Sequence, residues 1–140
     1  MDGRGVVAAL ALGAEGVQMG TAFLTCAESA APPAQKNAIL RSNDESTTII
    51  RAISGKAARG IPNRLSEELA APAEAIPPYP VQHTLTRDIR RVAGQQGRDE
   101  FLALWSGQAG GLAGTKRADE IVAEVDAQVR VILGDSGLPR

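Results

Sequence analysis

The chain has 140 residues, a formal net charge of −1 and 44% hydrophobic side chains, with aromatics supplying 3%. A near-neutral chain of this length predicts one domain and argues against a broad electrostatic grip on nucleic acid or on an anionic membrane. No apolar run approaches a membrane span and no basic-then-apolar leader precedes a cleavage site, so the cytoplasm is the expected compartment.

In chain order, the stretch from Asp2 to Leu24 organises the rest. The turn Asp2-Gly3-Arg4-Gly5 opens a helix over residues 5–12, with Val6, Val7, Ala9, Leu10 and Leu12 on one side at helical spacing. The start of such a helix leaves amides free at its positive dipole end, which suits an anion. Gly13 stops it. Gly16-Val17-Gln18-Met19 then predicts a short buried strand, with Val17 and Met19 alternating with Gln18. That strand needs a parallel neighbour for its backbone groups. It delivers Gly20-Thr21 to the end where the helix begins, so two glycine-marked corners are expected to face one phosphate.

Residues 21–24 predict a short helix capped by Thr21, and Ala30 to Pro33 break the pattern before a helix over 34–42. The β-branched segment from Thr47 to Ser54 is the second strand expectation. Gly55 and Gly60 mark turns around Lys56, Arg59 and Arg64, which read first as a solvated loop and second as a cationic loop beside a phosphate. A helix follows over 63–69, with Asn63 and Ser66 competing to cap it, and then Pro72, Pro77, Pro78 and Pro80 make an extended linker around Tyr79. Val81, Leu85, Ile89 and Val92 recur at three or four, predicting one helix ended by Gly94 and Gly97. Residues 98–106 predict another helix carrying Phe101, Leu102, Leu104 and Trp105. After a flexible stretch at 107–114, the longest helix is expected over 118–133, with Ile121, Val122, Val125, Val129 and Ile132 on one side and a frayed tail at 135–140.

Several of these stretches carry a resemblance. DGRGVVAALALGAEGVQMGTAFL, residues 2–24, resembles the last βα unit and final strand of FMN-dependent TIM barrels, which hold a phosphate between the loops after strands seven and eight. SGKAARGIPNRL at 54–65, PPYPVQHTLTR at 77–87 and FLALWSGQAGGLA at 101–113 are similar to the nitronate monooxygenase family, formerly called 2-nitropropane dioxygenases. The resemblance implies an α/β fold: the C-terminal portion of an FMN-binding TIM (β/α)8 barrel, followed by a mostly helical region. Residues 1–45 would hold the last βα unit and strand, and residues 46–140 the hairpin and helices, as one partial domain. The family's glycine-rich seventh strand, its earlier strands and its catalytic histidine would then lie before Met1.

The resemblance assigns flavin contact to Gln18, Met19, Gly20 and Thr21, with FMN as cofactor. Asp2, Gly3 and Arg4 would stand near the phosphate without its direct contact, and Tyr79 and Gln108 would be pocket residues. It implies oxidation of an alkyl nitronate by oxygen to a carbonyl compound and nitrite, with this chain inactive alone. The alternative is a non-catalytic remnant, or half of a split flavoenzyme partnered by an N-terminal barrel half. His83 is the one histidine, and proton abstraction commonly recruits that side chain. Its PYPVQHTLTR context differs from that of the family's base, so it reads as a helix-surface or packing residue and no catalytic residue is assigned. One histidine and one cysteine, Cys26, make no metal site and no disulfide, and Cys26 reads as a small buried hydrophobe. Glu67-Glu68 and Asp99-Glu100 read as complements to helix starts.

Overall fold

Helices and one antiparallel hairpin make up residues 2–134, the part of the chain described by a computed structural model of the protein. The tail expected at 135–140 lies outside the described residues. Among the described residues no helix is long and apolar enough to cross a membrane.

Helix α1 (Gly3–Ala11) begins two residues before the predicted start, because Asp2 caps it, and Gly13 follows its end at φ +92°. Among the described residues it packs on the long C-terminal helix α7 (Ala118–Leu133) and not on a sheet. The contact is close at Gly3, where a Cβ would stand 2.4 Å from the Gln128 Cβ. Leu12 is left 90% exposed.

The strand expected at Gly16–Met19 does not form. The segment is extended, with Gly16 and Gln18 exposed and Val17 and Met19 half-buried. The period-two pattern survives, but no second edge pairs with it among the described residues, and an unpaired edge is not a ladder. The four-residue helix α2 (Thr21–Leu24) follows, with Gly20 rather than Thr21 at the N-cap. Ala22, Cys26 and Ile121 of α7 form a small core there, flanked by Met19, Phe23 and Ala118.

Helix α3 (Pro33–Leu40) starts on Pro33, as its fixed φ favours, and buries Ala38 and Ile39. Of the β-branched run only β1 (Thr48–Ile50) is strand; it pairs antiparallel with β2 (Ala58–Gly60), Ile49 opposite Arg59. Gly60 is therefore no turn. It lies in β2, where a Cβ would stand 2.9 Å from the Leu104 carbonyl oxygen. That space lets residues 104–106 run beside β2, with Ile61 N donating to Leu104 O at 2.9 Å and Ser106 N to Arg59 O at 3.3 Å.

The helix expected over 98–106 is absent for the same reason. A 3-10 turn at Asp99–Phe101 gives way to extended chain in which Leu102 and Leu104 alternate inward. Asn63 fixes that path. Its oxygen and the Ser66 hydroxyl close a capping box on α4 (Arg64–Glu68), while its Nδ2 donates to Asp99 O and Leu102 O at 2.9 and 2.8 Å.

The predicted helix over 81–92 is two helices, α5 (Val81–Leu85) and α6 (Arg87–Gln96), broken at Thr86, and the second runs through Gly94 to Gly97 at φ +67°. The predicted apolar stripe of Val81, Leu85, Ile89 and Val92 is exposed, whereas Gln82, Thr86 and Ala93 face inward. The interior here offers the carbonyls of the Ala52–Ile53 turn. Gln82 Nε2 donates to Ala52 O and Thr86 Oγ1 to Ile53 O, so polar donors take the inward positions. The main core joins Ile50, Ala52, Ile53 and Leu65 to a second cluster of Ala38, Ala93, Leu102 and Leu104 through Phe101.

Candidate functional site

Two corners were expected to face one phosphate; Gly20 and Thr21 do not line the recess that holds Asp2, though their neighbour Ala22 does. Asp2 and Ala22 line the same recess of about 120 Å³, closed on its other sides by Leu112 to Gly114 and by Ile121, Glu124 and Gln128 of α7. Their donor sets differ sharply.

At the first corner the amides are taken. Gly3 N donates to Gln128 Oε1 at 2.7 Å, and Arg4 N and Gly5 N donate to Asp2 Oδ1 at 3.1 and 3.3 Å. The Asp2 carboxylate also accepts from Arg4 Nη2 at 2.6 Å, and that guanidinium holds its pKa below the ordinary carboxylate value. The α1 start thus carries its own anion, and a phosphate there would have to displace it.

The second corner is open. A Cβ on Gly20 would meet nothing within 4 Å. Thr21 Oγ1 accepts from Gly107 N at 2.8 Å, and among the described residues its hydroxyl proton has no recorded acceptor. Met19 turns its side chain to the Ala22, Cys26 and Ile121 core, and Gln18 is exposed. A close-approach glycine beside a hydroxyl with a proton to give is a donor set that fits a phosphate. The Asp2–Gly5 corner does not fit one.

The remaining candidates have other work. His83 sits in α5 with its ring 6.0 Å from that of Tyr79, and Arg90 Nη2 lies 3.3 Å from its Nδ1; the Gln18–Thr21 stretch is not among its partners. Burial of the Arg90 guanidinium lowers its pKa. Arg59 Nη1 bonds the Thr47 carbonyl and hydroxyl, and Arg64 pairs with Glu68 and lies over the Phe101 ring, so neither forms a cationic loop at the corner. Cys26 is buried, as its reading as a small hydrophobe expected. Gln108 is exposed and adjoins Gly107, which brings it beside Thr21. Gly107 and Gln128 are contacts of the two corners that pattern reading did not single out. Each is a tertiary bond spanning most of the chain, and the only local signal was the glycine in WSGQAGGLA.

The chain is similar to proteins already known. A probable nitronate monooxygenase of Staphylococcus aureus strain Newman is 47% identical over 133 residues, which is 95% of this chain and 38% of the relative. Among solved structures, nitroalkane oxidase from Streptomyces ansochromogenes superposes with a TM-score of 0.88 at 34% identity, over 98% of this chain and 39% of its own. FabK from Thermotoga maritima superposes at 0.75 with 29% identity, over 96% of this chain and 43% of its own. The chain thus spans well under half the length of the proteins it matches. The family model for nitronate monooxygenase matches residues 1–127, and the chain belongs to that family.

Proposed function

We propose that these residues form the C-terminal portion of an FMN-dependent (β/α)8 enzyme of the cytoplasm that oxidises alkyl nitronates with oxygen to a carbonyl compound and nitrite. The Gln18–Thr21 stretch binds the flavin phosphate, chiefly through Gly20 and Thr21, while the bound flavin supplies the redox chemistry. The observation that carries this reading is the open Gly20 beside the Thr21 hydroxyl, whose proton has no acceptor among the described residues. Division into a barrel part at 1–45 and a hairpin and helical part at 46–140 belongs to the same reading.

The test is flavin absorbance of the purified chain with and without added FMN. FMN is expected to bind with a perturbed flavin spectrum. Gly20→Val is expected to abolish binding while leaving the ligand-free melt unchanged, because its side chain enters open space. A spectrum identical to free FMN rejects the cofactor assignment. No nitronate turnover is expected from the 140-residue chain alone, and turnover by it would overturn that part.

One feature favours a second reading, a non-catalytic remnant or half of a split flavoenzyme. The backbone at 16–19 has no recorded partner among the described residues. An N-terminal barrel half on another polypeptide would supply that partner, with stability set by mass action. An in-frame Gly-Gly-Ile run in the DNA before Met1 supports the single-chain enzyme, and a separate upstream barrel gene supports the split one.

A further inference from the structure

We propose that the outer edge of β1 is a self-association surface. Two copies of the chain join their β1 strands antiparallel about a twofold axis at Ile49, with Arg51 of one copy beside Asp44 and Glu45 of the other. The pairing needs no flavin.

The hairpin leaves one residue's backbone groups unspent. Ser106 N donates to Arg59 O and Ile61 N to Leu104 O, so Arg59 turns its own backbone groups away from β1. Opposed residues along an antiparallel ladder alternate between bonded and unbonded pairs. Ile49 and Arg59 are therefore an unbonded pair, and the Ile49 N–H and C=O point outward from the hairpin. Among the described residues no bond to either group is recorded. The Ile49 side chain is 56% exposed, and the edge opens onto a recess of about 320 Å³ bordered by Pro62, Ala70, Ala71 and Ile76.

Proteins commonly blunt such an edge with charges set along it or with a covering element. Here the charges stand only at its two ends. The acidic turn Asp44-Glu45 precedes the strand, Arg51 follows it, and residues 46–50 between them are uncharged. All three charged side chains are exposed, and none enters an ion pair recorded among the described residues. Arg51 has one recorded side-chain bond, from Nη1 to Gly55 O at 3.5 Å.

An edge with acid at one end and base at the other complements itself when turned antiparallel. The two Ile49 residues then exchange both their backbone bonds, and Arg51 stands opposite Thr47 of the other copy, beside its acidic turn. A parallel pair would set like charges together. Because the same patch serves both copies, the contact closes as a dimer and does not propagate. The strand is three residues long, so the dimer is weak and concentration-dependent.

Sedimentation equilibrium of the full chain from about 10 μM to 1 mM tests this. The wild type is expected to dimerise within that range, and less so in added salt, as exposed charge pairs do. Arg51→Glu makes both ends of the edge acidic and is expected to weaken the dimer about tenfold or more. Asp44→Lys combined with Glu45→Lys makes both ends basic and does the same. Mixed together, the two variants pair with each other as tightly as wild type does with itself. Both keep the wild-type melt, since the altered side chains stand in solvent. Hydrogen exchange of the wild type supplies a readout free of mutation: the Ile49 amide slows as concentration rises. A chain monomeric throughout overturns the proposal and leaves the edge to another part of a longer protein. A dimer indifferent to both variants, variants that do not pair when mixed, or an Ile49 amide unchanged by dimerisation overturns it in favour of another face.

Discussion

Residues 38–105 and residues 12–20 treat their backbone polar groups in opposite ways: the first buries and pairs many of them, the second leaves most of its residues in solvent. In the first region two turns receive donors from elements far along the chain: Asn63 serves Asp99 and Leu102 at one, and Gln82 and Thr86 serve Ala52 and Ile53 at the other. Ile39 and Ile53 are fully buried beneath them. In the second region Gly16 to Met19 run extended with no strand beside them among the described residues, and Leu12 stands in solvent. The closed region has spent its polar groups on itself. In the open one the backbone at 16–19 has no partner among the described residues, and it leads directly into Gly20 and Thr21.

The comparison breaks most readily at the buried end. Ile53→Ala empties a site 1% exposed and is expected to cost about 2–5 kcal/mol, the usual range for a fully buried isoleucine. Leu12→Ala removes a side chain 90% exposed and is expected to fall within about 0.5 kcal/mol of wild type. Urea melts of both variants measure the difference. Equal losses would mean that residues 12–20 are as well packed as the hairpin core.

The seam between the regions lies where α1 meets α7. Gly3→Ala places a methyl 2.4 Å from the Gln128 Cβ and 3.0 Å from the Val129 amide nitrogen, so the helices must part. Overpacking of this kind costs about 1–3 kcal/mol. Hydrogen exchange is expected to accelerate in α1 and to stay slow in β1, β2 and α4. Uniform acceleration would instead show one cooperative unit with no seam.

How much of this was legible in the residues follows the same division. Where a partner is local, pattern reading succeeds: a cap on α4 by Asn63 or Ser66, Gly13 ending α1 and the long helix α7 were expected, and Asn63 is the cap, with Ser66 returning the bond. Where a partner is distant it fails. Val81, Leu85, Ile89 and Val92 have helical spacing yet face solvent, because the Ala52–Ile53 carbonyls draw Gln82 and Thr86 inward. Leu102 and Leu104 fit either a helix or a strand, and Gly60, read as a turn, decided for the extended form. At the candidate site the pattern at Gly20–Thr21 fits a buried strand and helix cap as well as a phosphate corner, and the resemblance alone singled the pair out. The occupied amides at Asp2–Gly5 were not legible, since one of their acceptors, Gln128, lies 125 residues away.

The smallest expected effect concerns that first corner. The Arg4 guanidinium holds the Asp2 carboxyl below its ordinary value of 3.8, so the folded chain favours the charged form. A group depressed in this way contributes stability that is fully present above the unfolded value and fades as pH falls through the folded one. The group is exposed, so the contribution is below about 1 kcal/mol. Asp2→Asn keeps an acceptor for the Arg4 and Gly5 amides but cannot titrate. Glu28 is also held low, by hydrogen bonds from its own amide and that of Ala118, so the total acid loss does not isolate Asp2. The difference between wild type and Asp2→Asn does: it is expected to be constant from pH 7 to about pH 4 and to shrink below that, read as helical circular dichroism during melts at each pH. A difference that does not change with pH would show that the α1 cap works through hydrogen-bond geometry alone, the carboxylate being no better stabilised in the folded chain than in the unfolded one.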